Sequence, residues 1–140
     1  MNALGIDPLF AMQCALLALV GPSDEVLLVE RVDARFQLAL RLTRTRARHA
    51  SAHEVFDAIG AHTRALVLLD PTDAELELAA FELPLLLILS ASWKHRPIPA
   101  VRVEIRLHDA GADVYGEGLT VRAQRELEQC LDADPKGLPQ

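Results

Sequence analysis

Apolar and polar residues alternate with a period of two in two stretches of the chain, residues 36–42 and residues 101–107. Because successive side chains of a β-strand point to opposite faces, this alternation predicts two half-buried strands. The run Arg-Ala-Leu-Val-Leu-Leu at 64–69 is apolar almost throughout. Such a short run predicts a strand that is buried on both faces.

Helix starts are marked by capping residues at three places. Ser51 precedes Glu54 by three residues, and Thr72 precedes Glu75 in the same way. This spacing is a capping box, in which each residue satisfies a backbone N–H of the first helical turn. Thr120 alone can cap a third helix. The predicted helices cover 52–59, 75–83 with an extension past Pro84 to residue 91 left open, and 121–131.

The first twenty residues allow two interpretations. Asp7 can cap a helix that has Pro8 in its first turn and ends before Gly21. Such a helix would be apolar on every face and would need complete burial. Alternatively, residues 2–7 and 14–20 are two strands. In both interpretations the turn near Gly21 leads to a strand over 25–32.

Taken from residue 24 onward, the predicted order is β, β, α, β, α, β, α. Alternating strands and helices indicate an α/β domain with a partly parallel sheet. The chain has 140 residues, which suits one domain. We expect this domain to cover residues 1–131 and to be followed by a flexible tail over 132–140.

Composition narrows the function classes. Hydrophobic residues make up 51% of the chain and aromatic residues only 4%, so the core must be aliphatic. A net charge of −6 argues against a general nucleic-acid coat protein. The two cysteines have no metal-ligand spacing, and no apolar run suits a signal peptide or a membrane span. We expect a cytoplasmic protein with no membrane partner.

The segment Leu4-Gly5-Ile6-Asp7-Pro8 resembles the first strand of RuvC-type Holliday junction resolvases. Residues 74–93 and the Pro-bearing stretch 96–101 resemble the apolar helix of that family and the strand after it. This resemblance implies a ribonuclease H-like fold, with a mixed five-stranded sheet and helices on both faces. It favours strands over 2–20. The alternative is an α+β roadblock-like domain with an N-terminal helix over 8–20.

The same resemblance implies a magnesium site. Neighbouring strands of such a sheet would bring Asp7 and Asp70 to one edge, where they would ligate Mg²⁺ and be the catalytic residues. Asp132 or Asp134 would be the third acid. The alternative is that Asp7 caps a helix and that Asp70 begins a turn before Pro71.

Arginines are concentrated after the first alternating stretch. Arg44, Arg46 and Arg48 share one face of the predicted strand, and Lys94 and Arg96 lie beside the only tryptophan. These five side chains are the candidate contacts to a nucleic-acid backbone, because guanidinium groups bind phosphate through two donors. Alternatively, the arginines protect an exposed edge strand from aggregation.

These features predict a metal-dependent nuclease that acts on or binds structured nucleic acid, with a Holliday junction as the model substrate, or an inactive relative of such an enzyme. The alternative is a non-catalytic homodimeric interaction or regulatory module. Its support is the apolar excess in 9–20 and 83–89, since apolar surface left over after folding usually binds a partner. We expect a homodimer.

Overall fold

The computed structural model describes residues 6–29, 33–51, 53–73, 75, 85–91 and 100–133. Within them, four helices and six strands have defined bounds. The helices are α1 (Pro8–Leu19), α2 (Ala34–Leu42), α3 (Val55–Ala58) and α4 (Val121–Asp132). The strands are β1 (Glu25–Val29), β2 (Arg46–Ala50), β3 (Thr63–Leu69), β4 (Leu85–Ser90), β5 (Arg102–His108) and β6 (Gly111–Glu117).

The strands form one sheet in the order β2-β1-β3-β4-β5-β6. β1 to β5 are parallel to one another, and β6 pairs with β5 in the antiparallel direction. The α/β class and the mixed sheet are therefore confirmed. The ribonuclease H-like fold is wrong, because that fold opens with three antiparallel strands, whereas here a helix precedes the parallel pair β1 and β2.

The strand β4 forms the centre of the sheet. All six of its residues are buried, and it pairs with β3 on one side and β5 on the other. The prediction that the preceding helix could extend through 85–91 is wrong. An apolar run of this length fits a helix or a strand, and burial between two parallel neighbours selects the strand.

Helices cover the two faces of the sheet unequally. α1, α2 and α4 pack on one face, where their buried side chains join those of the sheet in the larger core. On the other face a smaller core includes Val55, with Ala58 and Ile59 packed against it. We call these the α1 face and the α3 face. Odd and even positions of each strand alternate between them.

The helix interpretation of residues 8–20 is confirmed. The Asp7 side chain accepts a hydrogen bond from Phe10 N at 3.1 Å, and Pro8 occupies the first turn. Six residues of α1 are buried, and α1 contacts both α2 and α4. This burial explains why the sequence of α1 is apolar on nearly every side. The strand predicted at 14–20 is wrong. The helix also matches the roadblock-like alternative, but five parallel strands do not suit an α+β domain.

The strand predicted at 36–42 is wrong, because this segment is α2. Asp33 caps it by accepting hydrogen bonds from Arg35 N and Phe36 N. Its buried residues are Phe36, Ala39 and Leu40, which follow the spacing of one helix face. Leu42 is 55% exposed, so the alternation of leucines did not mark a buried face.

Several other predicted elements are confirmed. β3 covers the apolar run at 64–69, β5 covers most of 101–107, and α4 begins after its cap Thr120. The Thr72 capping box is present, since Thr72 N donates to Glu75 Oε1 at 2.9 Å and Glu75 N donates to Thr72 Oγ1 at 3.2 Å. The predicted helix over 52–59 is reduced to α3.

β6 was not predicted from the sequence. It follows β5 through a short turn and pairs with it over seven positions. The structure does not describe several longer stretches, which are residues 30–32, 76–84, 92–99 and 134–140. The last of them is most of the predicted tail. None of the helices that the structure describes is long and apolar enough to cross a membrane.

The two cysteines meet across the helix layer. Cys14 on α1 and Cys130 on α4 are 116 positions apart in sequence, yet their Sγ atoms are 2.8 Å apart, and no disulfide bond joins them. We expect mild oxidation to join them, because only a small movement separates this contact from a disulfide bond. The closed loop should raise the free energy of unfolding by about 2–4 kcal/mol.

Urea denaturation with and without reductant measures this effect, and intact mass reports the loss of two hydrogens. Cys130→Ser is the control, since it should gain no stability from oxidant. Oxidised wild-type protein that is no more stable than reduced protein would contradict the prediction.

Candidate functional site

The parallel strands β1 to β5 end at one edge of the sheet, which we call the carboxyl edge. In open α/β sheets, ligands bind outside the carboxyl ends of the strands, next to the point where the strand order reverses. Here the chain passes from β1 to β2 on one side and then returns to β3 on the other side. The carboxyl edge beside β1, β3 and β4 is therefore the first place to look for a ligand site.

Asp70 lies at this edge, directly after β3. Its backbone has a φ of +43°, which few residues other than glycine and asparagine adopt. Asp70 N donates to Leu89 O at 2.8 Å, and Asp70 Oδ1 accepts from Ala91 N at 3.0 Å. The side chain therefore ties the ends of β3 and β4 together, which accounts for the strained backbone.

Ser90 and Arg106 lie side by side at the same edge, where they are register partners in the β4–β5 ladder. The Ser90 Oγ and Arg106 Nε atoms are buried without a hydrogen-bond partner. The Arg106 guanidinium lies 5.3 Å from the centroid of the Tyr115 ring on β6. Four and two positions earlier on the same face of β5, Arg102 and Glu104 form a buried ion pair at 2.9 Å.

Carboxylates occupy the helix starts at the carboxyl edge. Asp7 caps α1, Asp33 caps α2, and Glu75 accepts from Thr72 N at the start of the helix after β3. The N-terminal backbone N–H groups of a helix attract anions. At each of these three positions, a carboxylate side chain of the protein takes the place of a bound anion.

The predicted magnesium site is wrong. Ile6 pairs with Ala112 on the outer side of β6, so four strand spacings separate it from Asp70. At about 4.8 Å each, they place Asp7 on the order of 19 Å from Asp70, whereas ligand oxygens lie about 2.1 Å from a shared Mg²⁺. Asp132 ends α4, and Asp134 lies outside the described residues.

The described residues contain no group of three or more His, Cys, Asp or Glu side chains that could hold a metal ion. Asp7 instead has the role of a helix cap, and Asp70 fastens two strand ends. Both agree with the alternatives that the sequence left open.

The three predicted arginines are divided between two places: Arg44 lies in the turn after α2, and Arg46 and Arg48 lie two residues apart on β2. Arg48 on β2 donates to Glu25 Oε1 at 2.8 Å and also to the carbonyl oxygen of Ala58. Its guanidinium holds the pKa of Glu25 below the usual value. Arg44 has a φ of +57° in the turn after α2, Arg46 is exposed on β2, and Lys94 and Arg96 lie outside the described residues.

Comparison with solved structures identifies the fold to which this arrangement is similar. Tyrosine aminotransferase from Leishmania infantum superposes with a TM-score of 0.72 at 11% sequence identity, over 91% of this chain and 47% of that one. N-Succinyldiaminopimelate aminotransferase from Mycobacterium tuberculosis gives 0.66 at 14% identity, over 92% and 44%. Cystalysin from Treponema denticola, which contains pyridoxal 5'-phosphate, gives 0.66 at 11% identity, over 94% and 44%.

The chain thus spans less than half the length of these proteins. No protein-family model matches the sequence, and no curated protein sequence matches it significantly. At these identities the superpositions establish the fold alone.

These neighbours correct the functional predictions drawn from the sequence. The resemblance to RuvC-type resolvases is wrong, and with it the predicted nuclease, the Holliday junction substrate, DNA binding and magnesium. The neighbours do not favour the alternative interaction module either. They indicate a transaminase-like fold. The predicted homodimer stays a prediction.

The burial of the charged residues on β5 was not predicted from the sequence. Arg102, Glu104 and Arg106 alternate with apolar residues, which predicted a strand that is solvated on one face. Instead Arg102 and Glu104 are each about 1% exposed. The signal available was a row of charges of alternating sign on one face, which also suits a buried network.

Replacement of Asp7 tests its role as a helix cap. Asp7→Ala should lower the free energy of unfolding by about 1 kcal/mol, because Phe10 N loses its acceptor. Asp7→Asn should remain within a few tenths of a kcal/mol of wild type, since asparagine caps equally well. Chemical denaturation measures both, and equal destabilisation by the two variants would refute the role.

Replacement of Arg48 tests whether the arginine row is structural. Arg48→Gln should lower stability at neutral pH, because Glu25 and the Ala58 carbonyl lose their donor. Since the pKa of folded Glu25 lies below 4.5, the carboxylate contributes fully above that pH. The difference from wild type should shrink as pH falls below it and Glu25 becomes protonated.

Urea denaturation across this pH range provides the measurement. Arg46→Gln is the matched control, because Arg46 lies on the same strand, is exposed and forms no ion pair with another described residue. A pH-independent effect of Arg48→Gln, or an equal effect of Arg46→Gln, would rule out the ion pair as its cause.

Proposed function

We propose that this chain is a transaminase-like ligand-binding domain whose described residues do not hold pyridoxal phosphate as an enzyme cofactor. Two observations support the proposal. The fold is similar to that of aminotransferases and of cystalysin, which contains pyridoxal 5'-phosphate. The residues at the carboxyl edge differ chemically from those which that cofactor requires.

The first requirement is a lysine. Pyridoxal phosphate enzymes bind the cofactor aldehyde through a lysine amine and hold the pyridine nitrogen with an acidic or arginine partner. The sequence contains only two lysines, Lys94 and Lys136. Both lie outside the described residues, so the described part of the carboxyl edge supplies no amine. Asp70, the acid at this edge, accepts a hydrogen bond from Ala91 N.

The second requirement is a place for the phosphate, and this observation carries the proposal. Helix N-termini are the usual cradle for a phosphate, since their N–H groups and dipole attract anions. At the carboxyl edge, Asp7 and Asp33 cap the starts of α1 and α2, and Glu75 accepts Thr72 N after β3. The four-residue α3 also begins at this edge and has no side-chain cap. A phosphate dianion placed at one of the three carboxylates would displace it or be repelled by it. The capped helix starts among the described residues therefore do not offer the usual cradle for the phosphate of pyridoxal phosphate.

Incubation with pyridoxal 5'-phosphate followed by borohydride reduction and peptide mass mapping tests the proposal. We expect label that rises in proportion to reagent concentration and is spread over accessible amines, because no site concentrates the reagent. Lys94→Gln and Lys136→Gln are the matched variants. Asp7→Asn should increase non-covalent binding if the carboxylate repels the phosphate.

Saturable incorporation of one label per chain at Lys94 or Lys136, lost in the matching variant, would overturn the proposal. Such a result would assign a cofactor lysine and would place the chain with the catalytically active transaminases.

A further inference from the structure

Two residues that are register partners at the carboxyl edge each have a buried polar atom without a hydrogen bond. Ser90 is the last residue of β4 and is 1% exposed. Its register partner on β5 is Arg106. Ser90 Oγ and Arg106 Nε are both buried, and neither has a hydrogen bond. Since nearly all buried polar groups in folded proteins are hydrogen-bonded, an adjacent pair of exceptions requires an explanation.

The charges around this pair are unequal. Arg102, Glu104 and Arg106 lie in a row on the α3 face of β5. Arg102 and Glu104 neutralise each other in a pair whose side chains are 2% and 1% exposed. Arg106 forms no ion pair with another described residue. The carboxylate opposite it on β6 belongs to Asp113, which pairs with His108 at 3.4 Å. Arg106 is therefore the arginine of this row without an ion-pair partner among the described residues, and it lies beside a hydroxyl donor.

The Arg106 guanidinium contacts an aromatic ring on the neighbouring strand β6. The guanidinium lies over the Tyr115 ring at 5.3 Å, within the range of an attractive cation–π contact. Tyr115 is 45% exposed, so the ring links the buried pair to solvent. A guanidinium that packs on a ring loses less freedom when a ligand binds and presents its donors in a fixed plane.

We propose that Ser90 and Arg106 form a binding site for the oxyanion of a small ligand, either a carboxylate or a phosphate ester. An oxyanion accepts hydrogen bonds from both a hydroxyl and a guanidinium, and its negative charge strengthens the bond to the guanidinium. The site lies at the carboxyl edge, outside which open α/β sheets bind ligands, between β4 and β5 rather than at the reversal between β1 and β3. It uses none of the helix starts that carboxylates occupy, so it extends the proposed function to a ligand class and does not require pyridoxal phosphate to be excluded.

Thermal unfolding of the full chain in the presence of oxyanion probes tests this site. The probes are inorganic phosphate and succinate, each titrated against chloride at constant ionic strength. A ligand that binds only the folded protein raises the unfolding temperature with a saturable dependence on its concentration. We expect such a rise with at least one probe. The stronger probe identifies the ligand as a phosphate or a carboxylate.

Ser90→Ala is the most informative variant. Without ligand it should be as stable as wild type or more stable, because it removes a buried hydroxyl that has no partner. With ligand it should weaken the apparent affinity about tenfold, the effect of losing one hydrogen bond to a charged group. A purely structural serine would show the reverse, with lower stability and unchanged affinity.

Arg106→Lys tests the charge against the geometry, since lysine keeps the charge but lacks the planar donors. It should weaken binding at least as much as Ser90→Ala. Arg122→Gln is the control, because Arg122 is an exposed residue of α4 that pairs with Glu126. Its affinity should equal that of wild type.

The absence of any saturable rise with either probe would overturn the proposal. So would equal affinity in wild type, Ser90→Ala and Arg106→Lys. Either result is distinct from the outcome of the pyridoxal phosphate labelling, which concerns lysines and not this pair.

Discussion

Burial of β4 on both faces is the constraint on which the rest of the structure depends. Its five apolar residues, from Leu85 to Leu89, are each at most 1% exposed, and burial of each side chain contributes about 1.5–3 kcal/mol. A strand buried in this way needs a parallel neighbour on each side and a layer of side chains on each face. The parallel neighbours are β3 and β5. One face of β4 packs against the α1 layer and the other against the side chains of the α3 face.

The position of β4 determines which polar groups reach the carboxyl edge. Ser90 ends the strand, so its hydroxyl lies beside β5 rather than in solvent. On β5, the α3 face carries Arg102, Glu104 and Arg106. On β4, the same face carries the buried residues Leu86 and Ile88. Removing charges from water is costly unless they are paired. Arg102 and Glu104 form an ion pair with each other. For Arg106, we propose that the oxyanion of a ligand is the partner.

The signals that the sequence conveyed well were local. Asp7 before Pro8, the Thr72 capping box and Thr120 all marked helix starts, because a cap depends on residues within one turn. The apolar run of β3 was equally clear. Prediction failed where tertiary context decides. Residues 85–90 fit a helix or a strand until their neighbours are known, and the alternating leucines of 36–42 were overridden by the Asp33 cap.

The candidate site was harder to predict than the fold, because its residues are distant in sequence. Ser90 and Arg106 carry no motif, and only the parallel register brings them together. The Asp7-Pro8 pair did resemble a motif, yet its geometry is that of a helix start. A resemblance over so few residues therefore led to a wrong functional prediction. The topology of the sheet instead places the candidate site at the carboxyl edge.

The measurement that tests this account most directly is the backbone conformation of residues 85–90 by NMR. The account predicts cross-strand contacts between Leu87 and Val103 and between Val67 and Leu87, as the parallel registers require. It also predicts that the amide hydrogens of β4 exchange only upon global unfolding. Sequential amide–amide contacts typical of a helix through these residues, without the cross-strand contacts, would contradict it.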